Sequence, residues 1–377
     1  MGITLYLLII VVCCVIIWRA SDGFETASQY LGRNLSDGVR GATINAIGSS
    51  MPELFTTLWF LFALEHKDGF SGGIGTTAGS AIFNGMIIPA IVILAVVGYG
   101  ITKSIRVSKK VILRDGLSLI VAEILLILII SGNTLYWWHG MLLMGIYGVY
   151  VFFMLQTMTK SELKAFGGEV DEDLDNVERR SFKNALLALD LEAMFLGRKS
   201  IHTANAWLLI GVSVFVMGSA CAALVYACEE LGQTLGIHTF FVAVVIASAA
   251  TSVPDTIISY KDAKRGEYDD AVANALGSNI FDICFALGLP LFLFTMVNGT
   301  IEMNQETIEQ VSELWVLLLL LTIVAFLIYY IGDQMGRIKA FLLLGIYVVF
   351  TAYILASAYE VEATQTIGAF LRSLIGV

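Results

Sequence analysis

Long apolar stretches constrain this chain more than any other feature. They fall at 3–18, 39–64, 70–100, 111–131, 135–158, 205–228, 239–260, 268–297, 312–331 and 338–358. A helix needs about 20 apolar residues to cross a bilayer. Inside hydrocarbon the backbone must satisfy its own hydrogen bonds, which a helix does. The reading is an all-α membrane protein with ten transmembrane helices, whose first partner is the lipid bilayer. Composition agrees, since 57% of the 377 residues are apolar and 14% charged. A soluble domain averages roughly 45–50% and about 25%.

Charge orients the spans. Lys and Arg concentrate in cytoplasmic loops. With the N-terminus outside, the inner loops hold 20 of the 22 basic residues, leaving only Lys67 and Arg372 on the other side. The segment Met1–Ile17 has no basic residue ahead of it, and Arg19 follows it. That suits a first span rather than a cleaved signal peptide. The expected organisation is a five-helix repeat over 1–158, a cytoplasmic loop over 159–204, a second five-helix repeat over 205–358 and an extracytoplasmic tail over 359–377. Both termini are expected outside, in the cell membrane.

Several functions are disfavoured. No basic patch with interleaved aromatics supports nucleic-acid binding. Cys13, Cys14, Cys221, Cys228 and Cys284 lie in apolar stretches and read as small buried hydrophobes, with no disulfide or zinc spacing. The acidic run Glu169–Asp175 lacks the EF-hand glycine and terminal glutamate, and reads as a solvated loop. No enzymatic activity and no resident cofactor are expected.

The two halves echo each other. Ser49-Ser50-Met51-Pro52-Glu53 matches Thr251-Ser252-Val253-Pro254-Asp255, and Gly79-Ser80-Ala81-Ile82-Phe83-Asn84 matches Gly277-Ser278-Asn279-Ile280-Phe281-Asp282. Gly145-Ile146-Tyr147 recurs as Gly345-Ile346-Tyr347. The offsets are 202, 198 and 200, and all four prolines (Pro52, Pro89, Pro254, Pro290) fall inside the repeats. An odd number of spans per half turns the second half upside down. Inverted repeats are a transporter architecture, with the binding site at the midplane.

Four ionisable residues lie deep in spans: Glu53, Glu123, Asp255 and Asp282. Such residues cost about 2.5–3.5 kcal/mol on insertion scales and mark function by default. Ser49 and Ser50 lie one turn before Glu53, and Thr251 and Ser252 one turn before Asp255, on the same helix faces. Pro52 and Pro254 cannot donate to the carbonyls of Gly48 and Ala250. Ser80 and Ser278 add hydroxyls one turn before Asn84 and Asp282. Carboxylates, hydroxyls and freed carbonyls form an oxygen cage of the kind hard cations require. Glu123 finds no partner in the ninth span and receives no role.

At these residues the sequence resembles the cation/calcium antiporter superfamily, the sodium/calcium exchangers. The resemblance implies Ca²⁺ exchange for Na⁺ by alternating access, with the transported cations as cargo. It makes Glu53, Asn84, Asp255 and Asp282 the central ligands. Ser49, Ser50, Ser80, Thr251, Ser252 and Ser278 complete the sites, with the Ala46 and Ser248 carbonyls. Asp255 in Ser-Val-Pro-Asp and Asp282 in Ser-Asn-Ile-Phe-Asp are most similar to the potassium-dependent branch, which would add K⁺. Proton-coupled calcium exchangers are the alternative within the superfamily; their first motif differs. A cation channel, or an intramembrane aspartyl protease using Asp255 and Asp282, is the alternative from another class. The Gly-x-Gly-Asp motif of those proteases is absent.

Overall fold

The computed structural model describes residues 2–32, 46–63, 69–157, 182–196, 201–332 and 334–375. The acidic run at Glu169–Asp175, most of the central loop, and Arg33, Arg40 and Lys67 of the charge pattern lie outside the described residues.

Among the described residues, eight helices are long and apolar enough to cross a membrane: Ile3–Leu31, Phe70–Gly98, Trp137–Met154, Thr203–Leu235, Thr239–Arg265, Tyr268–Asn298, Gln305–Tyr330 and Arg337–Ala358. The chain is an integral membrane protein. Two of the ten expected spans fall short on these criteria. The second is described only as a short helix Ala46–Ser49 and the helix α2, Met51–Ala63, because its flanks lie outside the described residues. The fourth is a full 22-residue helix, Lys109–Ile130, but Arg114, Asp115 and Glu123 fall within every 18-residue stretch of it.

The first helix, α1, runs over Ile3–Leu31 rather than stopping near residue 18. Past Arg19 it buries Ala20, Phe24 and Ala27 at helical spacing while Asp22, Glu25 and Gln29 stay partly exposed. This amphipathic stripe continues the helix beyond its lipid-like part.

The remaining elements used below are α3 (Gly69–Ile82), α4 (Ile88–Gly98), α5 (Lys109–Ile130), α6 (Trp137–Thr157), α7 (Thr203–Leu235), α8 (Val253–Arg265), α9 (Tyr268–Phe281), α10 (Gly288–Asn298), α11 (Gln305–Tyr330), α12 (Arg337–Ala358) and α13 (Glu362–Ser373). A π-helical turn, Phe83–Ile87, joins α3 to α4, and another, Asp282–Ala286, joins α9 to α10. Such single turns carry an extra residue inside an otherwise continuous helix and gather at functional sites.

Two apolar clusters hold the molecule together. One lies between α1 and α7, through Tyr6, Ile10, Ile17, Leu209, Leu224 and Leu231. The other fills the space among the remaining long helices, around Ile74, Ile82, Ile280, Phe281, Trp315 and Phe350.

The halves meet through reciprocal contacts. Leu135 pairs with Ile301 in a two-stranded antiparallel piece, and Met335, 200 residues after Leu135, pairs with Ile105 in a separate bridge. Tyr147 meets Phe281 edge-on at 5.3 Å, and its counterpart Tyr347 meets Phe83 edge-on at 5.7 Å. In both pairs a contact from residue a to residue b recurs from b′ to a′, as it would between related halves. Of these residues, Tyr147 and Tyr347, and Phe83 and Phe281, stand at matching places of the sequence repeats.

Candidate functional site

The helices that carry Pro52 and Pro254 each break two residues before the proline. In the first half the helix ends at Ser49, Ser50 is a turn, and α2 restarts at Met51. In the second half the helix ends at Thr251, Ser252 stands at φ −80° and ψ 1°, and α8 restarts at Val253. Proline at the second position of a new helix needs no backbone N–H partner. Glu53 and Asp255 therefore sit in the first turns of α2 and α8, close to helix N-termini that favour negative charge. Asn84 and Asp282 occupy their respective π turns.

All ten side chains of the expected site are fully buried: Ser49, Ser50, Glu53, Ser80, Asn84, Thr251, Ser252, Asp255, Ser278 and Asp282. They converge. Ser80 Oγ lies 3.2 Å from Glu53 Oε1, 3.2 Å from Asp282 Oδ2 and 2.9 Å from Ser252 Oγ. Ser278 Oγ donates to Asp255 Oδ1 at 2.6 Å and stands 3.5 Å from Ser49 Oγ. Asn84 Nδ2 reaches Ser80 Oγ at 3.4 Å and Asp255 Oδ2 at 3.5 Å. Each half thus supplies an acid after proline and a serine that bonds it, and the serines also touch hydroxyls of the opposite half.

The acceptors outnumber the donors. Glu53 Oε2, Asp282 Oδ1 and Asn84 Oδ1 are buried without a hydrogen-bond partner, against one unpartnered hydroxyl of the cluster, that of Ser50. A buried acceptor left unmade costs about 1–3 kcal/mol, more when charged. A cation bound among these oxygens would offset that cost. Among the described residues no three His, Cys, Asp or Glu side chains cluster at metal-holding spacing. The three carboxylates are linked through hydroxyls instead, so any ion here is held by a mixed set of carboxylate, amide and hydroxyl oxygens.

The Ala46 and Ser248 carbonyls are occupied within their own helices. Ala46 O accepts from Ser50 N at 3.0 Å and Ser49 Oγ at 3.3 Å, and Ser248 O accepts from Ser252 N at 3.0 Å and Thr251 Oγ1 at 3.1 Å. Ser248 also gives its hydroxyl to Val244 O at 2.5 Å.

Close helix approach sets this geometry at one glycine. A Cβ on Gly79 would overlap the Val244 carbonyl oxygen and lie 2.7 Å from Ser248 Cβ. Gly277, its counterpart, has open space, with Tyr150 OH nearest at 3.9 Å.

Three buried polar groups escaped the sequence reading. Asn274 Nδ2 bonds Ser259 Oγ at 3.1 Å and the Asp255 carbonyl at 3.4 Å. These residues lie four before Ser278 and four after Asp255, a helical spacing that would have found them. Asp115, inside the expected fourth span, is fully buried and accepts from Arg114 Nε and Nη2 at 2.6 and 2.8 Å. Glu123 is corrected: it does have a partner in the ninth span, where Thr322 Oγ1 donates to Glu123 Oε1 at 2.8 Å.

An integral membrane protein with two related halves and a fully buried cluster of oxygen-bearing side chains at their seam has the layout of a secondary transporter. A model of the sodium/calcium exchanger protein family matches residues 5–156 and 205–356, two segments offset by 200. The chain belongs to that family. It is 26% identical to sodium/potassium/calcium exchanger 5 of Homo sapiens over 82% of this chain and 75% of that protein. It is 32% identical to sodium/potassium/calcium exchanger 2 of Gallus gallus over 34% of this chain, a stretch that covers 20% of that longer protein. Its fold is similar to that of the H⁺/Ca²⁺ exchanger CAX, with a TM-score of 0.58 at 14% identity, over 98% of this chain and 91% of that one. It is also similar to the sodium-calcium exchanger NCX_Mj, with a TM-score of 0.55 at 20% identity, over 93% and 99%.

Proposed function

We propose that this chain is a secondary active antiporter that exchanges Ca²⁺ for Na⁺ by alternating access, and that K⁺ travels with the Ca²⁺. The observation that carries this reading is the set of buried, unsatisfied oxygens on Glu53, Asn84 and Asp282 beside Asp255. Ca²⁺ takes six to eight oxygens, about 2.3–2.6 Å away. Carboxylate, carboxamide and hydroxyl oxygens in this number suit Ca²⁺, and the same oxygens suit Na⁺. The names of the relatives support Na⁺, K⁺ and Ca²⁺ as cargo.

In this reading the site holds either Ca²⁺ or Na⁺, never both loads together. An empty site would leave three like charges in low dielectric, which opposes its crossing and enforces exchange. The apolar layer between α1 and α7, distinct from the main cluster, supports a sliding pair that moves against a rigid remainder. The architecture proposed is ten spans in two inverted five-helix repeats, 1–158 and 205–358, with a cytoplasmic loop at 159–204. Both termini and the 359–377 tail lie outside, in the cell membrane. The reciprocal contacts between halves and the 200-residue offset support this arrangement.

The test is Ca²⁺ uptake into proteoliposomes with Na⁺, K⁺ or H⁺ gradients imposed one at a time. The proposal expects uptake driven by an outward Na⁺ gradient. Uptake driven by H⁺ alone would move the chain to the proton-coupled reading, and flux without countertransport would make it a channel.

A further inference from the structure

A helix that restarts after a break can pivot at the break, since a few residues at the end of an element absorb the change in backbone angles. In the second half the break is at Ser252, and α8 begins at Val253. Asp255 sits in that first turn, so its place depends on how the turn is held. Helix α9 holds it twice. Ser278 Oγ donates to the Asp255 carboxylate at 2.6 Å. One turn before Ser278, Asn274 Nδ2 donates to the Asp255 carbonyl at 3.4 Å and to Ser259 Oγ, one turn further along α8, at 3.1 Å. Two residues of α9 a turn apart thus grip two residues of α8 a turn apart, and all four are buried. Hydrogen bonds are directional, so this ladder sets how far α8 can slide or turn against α9.

The first half has the same break without that tether. At the repeat offsets of 198 and 202, the residues matching Asn274 and Ser259 are Thr76 and Thr57. Thr76 gives its hydroxyl to the Gly72 carbonyl of its own helix at 3.0 Å, and Thr57 Oγ1 is buried with no partner. What α2 presents to α3 here is the Thr57 methyl, which would stand 2.8 Å from a Cβ on Gly73. Apolar contact is non-directional and holds no register.

Asn274 is a costly residue to keep for packing alone. Its Oδ1 is buried with no partner, and a buried acceptor left unmade destabilises the fold. An apolar side chain of similar size would avoid that cost, so what the amide contributes is its donor, Nδ2. We propose that Asn274 is a positioning residue. By tying Ser259 and the Asp255 carbonyl to α9, it keeps the Asp255 carboxylate under Ser278, in the geometry that receives the cation. Thr76, in the matching place, does not do this for Glu53. The proposal rests on the reading of Asp255 as a ligand of the transported ion.

The test is Ca²⁺ binding by the purified full-length protein, measured by equilibrium dialysis with radiolabelled Ca²⁺, beside its Tm in Ca²⁺-free choline chloride. Asn274→Thr gives the second half the residue of the first. Losing this buried donor should raise the Ca²⁺ dissociation constant about three- to tenfold. A purely structural role would lower Tm and leave the dissociation constant of the folded protein where it was. Thr76→Val removes a hydroxyl that stays within its own helix and should leave the constant unchanged. Should Asn274→Thr fail to fold, Ser259→Ala is read in its place; it removes the anchor and leaves the amide, and a smaller rise is expected. The proposal is overturned if the folded variant binds Ca²⁺ as the wild type does, whatever its Tm, or if Thr76→Val weakens binding as much. A wild type with no saturable Ca²⁺ binding would overturn the calcium reading itself, and this inference with it.

Discussion

Gly79 and Gly277 occupy matching places in the two repeats, and the structure gives them opposite tolerances for a methyl group. In Gly79→Ala the new Cβ overlaps the Val244 carbonyl oxygen and sits 2.7 Å from Ser248 Cβ, where ordinary contact begins at 3.4 Å. The two helices must part by at least about 0.7 Å, and by more at the carbonyl, or the side chains must distort. Overpacking of this kind costs about 1–3 kcal/mol. In Gly277→Ala the nearest atom is Tyr150 OH at 3.9 Å, so the methyl fits. Alanine in a helix interior is then favoured over glycine by roughly 0.5–1 kcal/mol. The two variants should differ by about 1.5–4 kcal/mol, which is about one to three powers of ten in the unfolding constant. The shift at Gly79 also carries Ser80 away from Ser252, now 2.9 Å distant, and from Glu53 and Asp282, each at 3.2 Å. Gly79→Ala should therefore lose ion transport as well as stability, while Gly277→Ala keeps both. Thermal melts of the two purified variants, followed by Ca²⁺ flux, decide the matter. Equal melting temperatures, or a Gly79→Ala protein with wild-type flux, would refute the close-approach reasoning.

Two further outcomes follow from the site. Asp282 takes the place in the second repeat that Asn84 takes in the first, so only the second half carries this extra charge; Asp282→Asn should abolish K⁺ dependence while preserving some Na⁺-driven Ca²⁺ flux, and wild-type flux indifferent to K⁺ would remove the potassium reading. Protons compete with Ca²⁺ for Glu53, Asp255 and Asp282, so apparent Ca²⁺ affinity should fall on acidification from about pH 8 to about pH 5.5, and an affinity unchanged across that range would contradict their convergence on one ion.

The sequence repeats carried most of the site because the chemistry itself is repeated. Glu53 and Asp255 each follow a proline and a hydroxyl pair, so one half checks the other, and the helix breaks at Ser50 and Ser252 fell where the prolines placed them. What the sequence did not disclose lies off the repeated motifs. Thr322 is an ordinary residue in an apolar helix until folding brings it within 2.8 Å of Glu123. The Ala46 and Ser248 carbonyls carry no sequence mark of being engaged, because backbone bonding depends on where each helix begins and ends. Hydropathy gave the apolar runs but missed the extension of α1 to Leu31, since a polar stripe looks like a loop when only lipid-length windows are read. It also left Asp115 unseen, because Arg114 beside it resembled the edge of a loop rather than a partner.

The most direct measurement is Na⁺-driven Ca²⁺ uptake by proteoliposomes of the wild type, Glu53→Gln and Asp255→Asn, each first shown to be folded. A carboxamide keeps the shape of the side chain and removes the charge that compensates a dehydrated Ca²⁺ ion. The wild type should take up Ca²⁺ against an outward Na⁺ gradient and neither variant should. Near-normal uptake by both folded variants would contradict the claim that these two acids, after Pro52 and Pro254, hold the transported ion.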